Sequence, residues 1–188
     1  MDFSWIVLGS LLGGCAVMML LEWRGLPTTL SLTFKGDIKR ESRWLAQYGQ
    51  AVCSVVVAAV VWQLESAHRG RAVQILVAFA LASLIATAMK KLLSRVRPGR
   101  ENAGRFLGPS FSRGNYKESF PSSHSACALA LSTVLAANYP AAAATFFALG
   151  GGCAVLRYLL DAHWPSDVLG GSALGYACGF AAMTLVPA

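Results

Sequence analysis

Two of the three histidines in this 188-residue chain stand in patterns that can do chemistry. In His163-Trp164-Pro165-Ser166-Asp167 a histidine precedes a carboxylate by four positions. At that spacing Asp167 can accept the proton of one ring nitrogen and leave the other free as a nucleophile. Arg157, with five residues between it and His163, offers a planar guanidinium able to hold two oxygens at once. The second pattern, Phe120-Pro121-Ser122-Ser123-His124, opens an apolar run. Proline and serine favour a helix start, where unpaired N–H groups and the helix dipole make an anion site. A histidine in that same turn can give a proton to an oxygen of the bound anion.

A third cluster is Lys90 followed after six residues by Arg97-Pro98. The two cations would share a face if the helix ran on, but a residue before proline is biased away from α geometry, so Arg97 is expected where the helix unwinds. Alone, such a pair equally fits span-end cations that reach the interface, and a lone histidine near a helix start is as readily structural as functional. His68 has no comparable partners and reads as a solvated loop residue.

The elements that must position these residues follow from composition. The chain is 55% hydrophobic and 13% charged, against roughly 25% charged in a soluble domain. A spanning helix takes about 20 apolar residues, so the length accommodates six spans and no separate soluble domain. Apolar runs at about 3–21, 46–64, 72–93, 122–139, 141–160 and 167–186 predict an all-α integral membrane six-helix bundle, a single domain over 1–188 with both termini on one side. The first run has no basic leader and no small-residue cleavage site, so it is expected to be a retained helix bracketed by Trp5 and Trp23 at interfacial positions. Pro140 marks either a tight turn or a kink. Gly171, Gly175 and Gly179, four residues apart, put three glycines on one helix face for close approach of another backbone. Five scattered cysteines, all within apolar runs and none at metal-ligand spacing, read as small core residues.

The net charge is +7, and eight of the sixteen basic residues lie between Lys90 and Lys117. Such a cluster fits anionic head groups, a phosphorylated substrate or cytoplasmic loops, whereas nucleic acid is not expected between membrane spans. The one long connection, Arg95 to Phe120, coincides with the cluster and is a functional candidate. With alternating spans, the end of the third helix, the start of the fourth, the end of the fifth and the start of the sixth emerge on one membrane face, so the three clusters can meet.

The order Lys-x6-Arg-Pro, Pro-Ser-x-His, Arg-x5-His-x3-Asp, each at a span boundary, resembles the three-part signature of the type-2 phosphatidic acid phosphatase family of membrane lipid phosphatases. The motifs cover about Lys90 to Gly171. Ser123 stands where the family usually has glycine, and Leu156 where serine usually precedes the arginine. Ser123 still provides a backbone N–H, while Leu156 removes one minor phosphate contact.

The resemblance implies in-line attack by His163 on a phosphoryl group, with Asp167 orienting it and His124 protonating the leaving oxygen, followed by hydrolysis of a phosphohistidine. It implies that Lys90, Arg97, Arg157, the Ser122 hydroxyl and the N–H groups of Ser122 and Ser123 stabilise the equatorial oxygens, where one lost donor typically costs about 10²–10³ in rate. No cofactor and no metal is expected: beyond Asp167, the carboxylates near the site are Asp161, Glu101 and Glu118, too dispersed for a two-metal cage. The expected partners are membrane lipids and a lipid phosphate or pyrophosphate substrate. Undecaprenyl pyrophosphate ranks narrowly first, phosphatidylglycerophosphate or phosphatidic acid next, and lipid A phosphates also fall within the family. The alternative is a non-enzymatic anion or lipid transporter or channel, although a pure anion pathway has no use for a His-Asp pair beside a second histidine.

Orientation sets two arguments against each other. Fourteen basic residues fall on the site-bearing side and two, Arg69 and Arg71, on the other, so the positive-inside rule points the site to the cytoplasm. The resemblance points to the extracytoplasmic face of a bacterial inner membrane. The second is adopted because Arg95, Arg100, Arg105, Arg113 and Lys117 beside the site can gather anionic head groups.

Overall fold

The computed structural model describes residues 3–30, 42, 44–111, 114–160 and 163–188. The principal elements are α1 (Trp5–Trp23), α2 (Ala51–Leu64), α3 (Gly70–Leu93), α4 (Ser123–Asn138), α5 (Ala143–Leu159) and α6 (Pro165–Leu185). The chain is an all-α integral membrane protein. Four helical segments, Trp5–Trp23, Gly70–Leu93, Pro140–Leu159 and Pro165–Leu185, are long and apolar enough to cross a membrane.

The six-span expectation therefore meets four such segments, and α2 and α4 fall short for different reasons. The first of them is apolar but only 14 residues long, because the chain enters it through a 3-10 turn, Gln47–Gly49, and extended backbone at Gln50. The second is the centre of the molecule. Every residue from Ser125 to Ala136 is buried, with α3, α5, α6 and the Gln47–Gly49 turn packed around it. Protein rather than lipid surrounds α4, so alanine, serine and threonine suffice where a lipid-facing helix needs larger apolar side chains.

The glycine face on α6 explains how one of those neighbours comes so close. A Cβ at Gly171 or Gly175 would overlap the Ser122 or Ala126 carbonyl, and one at Gly179 would strike the Thr133 side chain. The three glycines thus seat α6 against the backbone of α4. By contrast α1 turns outward, with Trp5 76% and Trp23 82% exposed at its ends. Pro140 lies in a 3-10 turn joining two helices rather than in a kink. His68 is exposed, and Cys15, Cys127, Cys153 and Cys178 are buried free thiols.

Candidate active site

Helix α3 stops at Leu93 because Ser94 adopts a left-handed conformation, φ 42°, and its N–H closes on the Lys90 carbonyl at 2.9 Å. Lys90 stays on the last turn, and Arg97 lies beyond the helix. The following connection is a built structure. Val96 N–H donates to Arg105 (2.9 Å), Gly104 N–H to Val96 (3.0 Å), Arg97 N–H to Tyr116 (2.8 Å) and Ser119 N–H to Arg95 (3.1 Å). Arg97 Nε donates to the Asn115 carbonyl at 2.7 Å, and burial pushes its guanidinium below its ordinary value against the pull of Asp167 and Glu118.

At the start of α4, Ser122 caps the helix by accepting the Ser125 N–H (3.4 Å) and hydroxyl (2.9 Å). Its own N–H donates to the Asp167 carbonyl at 3.0 Å, and the residue is fully buried. The expectation that the Ser122 N–H cradles an anion is thereby corrected: that donor ties α4 to α6, and the first-turn N–H groups of Ser123 and His124 are what the helix offers. Gly49 adjoins this turn so closely that a Cβ there would overlap the His124 carbonyl.

At the start of α6, Pro165 occupies the first helical position and the Asp167 carboxylate accepts the Trp164 N–H at 3.0 Å, so the helix start itself holds Asp167. Asp167 also accepts from Arg95 at 2.6 Å and from the Ser119 hydroxyl. His163, 1% exposed, places Nδ1 3.6 Å from Asp167 Oδ2, close enough for attraction but longer than a hydrogen bond. Burial pushes the His163 imidazole down to about 4 against the opposing pull of Asp167, so the ring is neutral, with a lone pair to offer, at neutral pH. Among the described residues, the buried His163 Nδ1 and Arg157 Nε have no hydrogen-bond partner. Lys90, Arg97 and His124 lie within electrostatic reach of one another and of both Arg157 and His163.

Two residues that sequence reasoning missed complete the arrangement. Arg95, 1% exposed, donates to Ser166 Oγ (2.6 Å), Asp167 (2.6 Å) and Glu22 (2.7 Å). Glu22 accepts the Ser166 N–H at 3.1 Å and also the Ser166 hydroxyl. Arg95 is therefore no collector of head groups, and neither is Lys117, which is buried and donates to Ser110 at 2.5 Å. Arg100 and Arg105 are exposed as expected, whereas Arg113 and Asp161 lie outside the described residues. The expected set of nearby carboxylates needs Glu22 added, and Glu118 is paired with Lys91 at 2.5 Å. No group of three or more His, Cys, Asp or Glu side chains that could hold a metal occurs among the described residues.

Fold and site together define a helical membrane protein with a His-Asp pair, a second histidine and three cations gathered at one end of the bundle. The chain belongs to the PAP2 superfamily, whose family model matches residues 71–188. Over 95 residues, 50% of this chain, it is 34% identical to the Lipid A 1-phosphatases of Rhizobium johnstonii and Rhizobium etli. The match covers only 39% and 41% of those relatives' lengths. Two solved structures share the fold at 17% identity. Aquifex aeolicus LpxE superposes with a TM-score of 0.65 over 81% of this chain and 88% of its own. A transmembrane PAP2 type phosphatidylglycerolphosphate phosphatase from Bacillus subtilis gives 0.62 over 97% of this chain and 87% of its own.

Proposed function

We propose that the protein is a metal-independent membrane phosphatase that removes a phosphate from a phosphomonoester or pyrophosphate lipid through a phosphohistidine. The observation that carries this reading is the buried Arg157 Nε, which has no partner among the described residues and lies within electrostatic reach of Lys90, Arg97 and His124. Concentrated positive charge with unsatisfied donors suits a doubly charged phosphate, whose oxygens take up two or more charge-assisted hydrogen bonds.

In the first step the free ring nitrogen of His163 attacks phosphorus, the bond to the lipid oxygen breaks, and His124 gives that oxygen its proton. The phosphoimidazolium keeps its Nδ1 proton, directed at Asp167. In the second step water attacks phosphorus, His124 takes a proton from it, the P–N bond breaks and inorganic phosphate leaves. Lys90, Arg97, Arg157 and the N–H groups of Ser123 and His124 face the charge on the equatorial oxygens throughout.

The names of the relatives favour lipid A 1-phosphate as substrate, followed by undecaprenyl pyrophosphate and then by phosphatidylglycerophosphate or phosphatidic acid. All six helices cross the membrane in this reading, and the site opens on the extracytoplasmic face of a bacterial inner membrane. Setting aside the phosphate-binding Lys90, Arg97 and Arg157, the buried Arg95 and Lys117 and the paired Lys91 leaves 14 − 6 = 8 basic residues on that side against Arg69 and Arg71. The charge bias shrinks but keeps its sign, so orientation needs its own test. In intact cells, a single cysteine at the exposed Asn115 of a cysteine-free variant should react with a membrane-impermeant maleimide. Protection of that residue until the inner membrane is opened would contradict the outward-facing site.

Activity is tested by phosphate release from these four lipids in detergent with excess chelator. The reading expects release from at least one lipid and inhibition by vanadate. Strict dependence on added Mg²⁺, or no release from folded protein, would contradict it and favour the transport alternative.

A further inference from the structure

Glu22 closes α1, Arg95 follows α3, and Ser166 and Asp167 open α6, so residues far apart in sequence meet in one buried network. Glu22, Arg95 and Asp167 are 2%, 1% and 0% exposed. The Arg95 guanidinium lies over the rings of Phe106 and Trp164, at 5.2 and 5.4 Å from their centroids. Its NH2 donates to Glu22 and its NH1 to both Ser166 and Asp167. Glu22 in turn accepts both the N–H and the hydroxyl of Ser166, and so pins the first turn of the helix that carries Asp167.

Charge gives this geometry a consequence. Arg95 and Asp167 alone would form a neutral pair, leaving Asp167 little net charge with which to support a cation on His163. Glu22 supplies the second negative charge. The triad carries a net −1, set behind a ring that becomes cationic when its other nitrogen takes the phosphoryl group. Lys90, Arg97 and His124 also lie within electrostatic reach of the ring; they favour the phosphate and oppose that cation.

We infer that Glu22 and Arg95 are positioning residues, which hold the Asp167 carboxylate and leave its charge available to His163 as the phosphohistidine forms. This rests on the reaction proposed above. Neither residue touches the substrate. Their effect falls on the transition state rather than on ground-state phosphate binding, which belongs to Lys90, Arg97 and Arg157.

The test uses the full-length protein in detergent. Glu22→Gln keeps the shape and an acceptor for Ser166 but removes the charge. Arg95→Lys keeps the charge but cannot reach both carboxylates. Groups that orient a functional side chain from behind typically matter by about 10–100-fold. Each variant should lower kcat by that factor and weaken vanadate inhibition in proportion, with KM and inhibition by inorganic phosphate within about twofold of wild type. Wild-type kcat and vanadate inhibition in either folded variant would overturn the inference, as would equal losses in kcat and inorganic phosphate binding. If Arg95→Lys does not fold, Glu22→Gln decides.

A second readout does not need turnover. In ring-¹⁵N-labelled protein, wild-type His163 should be a single Nδ1–H tautomer and Glu22→Gln a mixture. An unchanged tautomer would overturn the inference even if no lipid proved to be a substrate, whereas an inactive wild type with that tautomer shift would count against the proposed reaction alone.

Discussion

Both ends of the bundle carry an arginine paired with a glutamate, and the two pairs live in different solvents. At the site end Arg95 joins Glu22 and Asp167 at 2.7 and 2.6 Å with all three groups at most 2% exposed. At the opposite end Arg71 meets Glu65 at 2.8 Å with about a quarter of each side chain exposed, 24% and 25%, and the Tyr139 hydroxyl donates to the same carboxylate at 2.7 Å. Water screens the second pair, and such exposed contacts contribute little. The first has lost its water, so removing Arg95 would leave two buried carboxylates without a counter-charge at a cost of about 3–5 kcal/mol. A fold tolerates that hazard where it fixes something, and here the fixed object is the carboxylate beside His163.

The comparison breaks most sharply at the histidines. His163→Ala and His124→Ala should each abolish phosphate release while leaving the purified protein folded, since in the proposed reaction nucleophile and proton donor act as a unit. Full activity in either would remove the mechanism. Asp167→Asn should lose much but not all activity, because a poorly oriented imidazole is still an imidazole. Activity at the wild-type level would mean that the buried triad serves only the fold.

Acid should act on the site end as well. The His163 imidazole sits at about 4 in the fold against an ordinary 6.5, so the unfolded chain takes up this proton first as the pH falls. The stability involved is fully present above pH 6.5 and is lost between there and pH 4. Melting temperature in detergent should drop between pH 7 and pH 4.5, and drop less in His163→Gln; equal drops would contradict the buried neutral ring. The smallest effect belongs to the far end. Glu65→Gln should leave phosphate release and stability nearly unchanged, and a marked loss in chemical denaturation would erase the contrast between the two ends.

Legibility in the sequence divides along the same line. The motif residues are readable because they are close in sequence or tied to a proline: Asp167 caps the turn just after His163, and Pro98 marks where Arg97 leaves its helix. Spacing alone also places Gly171, Gly175 and Gly179 on one face, and α4 is their partner. The Glu22 to Arg95 contact spans 73 positions and depends on how α1 leans on α6. The one signal for it was a lone carboxylate at the end of an apolar helix, which reads as a simple boundary. Span counting found α4 but not that it is the buried centre of the molecule, since a helix encased in protein need not be as apolar as one in lipid. The Ser122 N–H was assigned to an anion because a helix start promises free donors, and only the packing of α6 reveals that Asp167 already accepts it.

The central claim is that His163 carries the phosphoryl group. Phosphohistidine survives alkali and is lost in acid, so ³²P-labelled lipid should be mixed with enzyme, quenched in alkaline denaturant and the protein digested. The account predicts an alkali-stable, acid-labile label on the peptide containing His163, absent from His163→Ala. Label on another residue, or full turnover with no labelled protein at any reaction time, would contradict it.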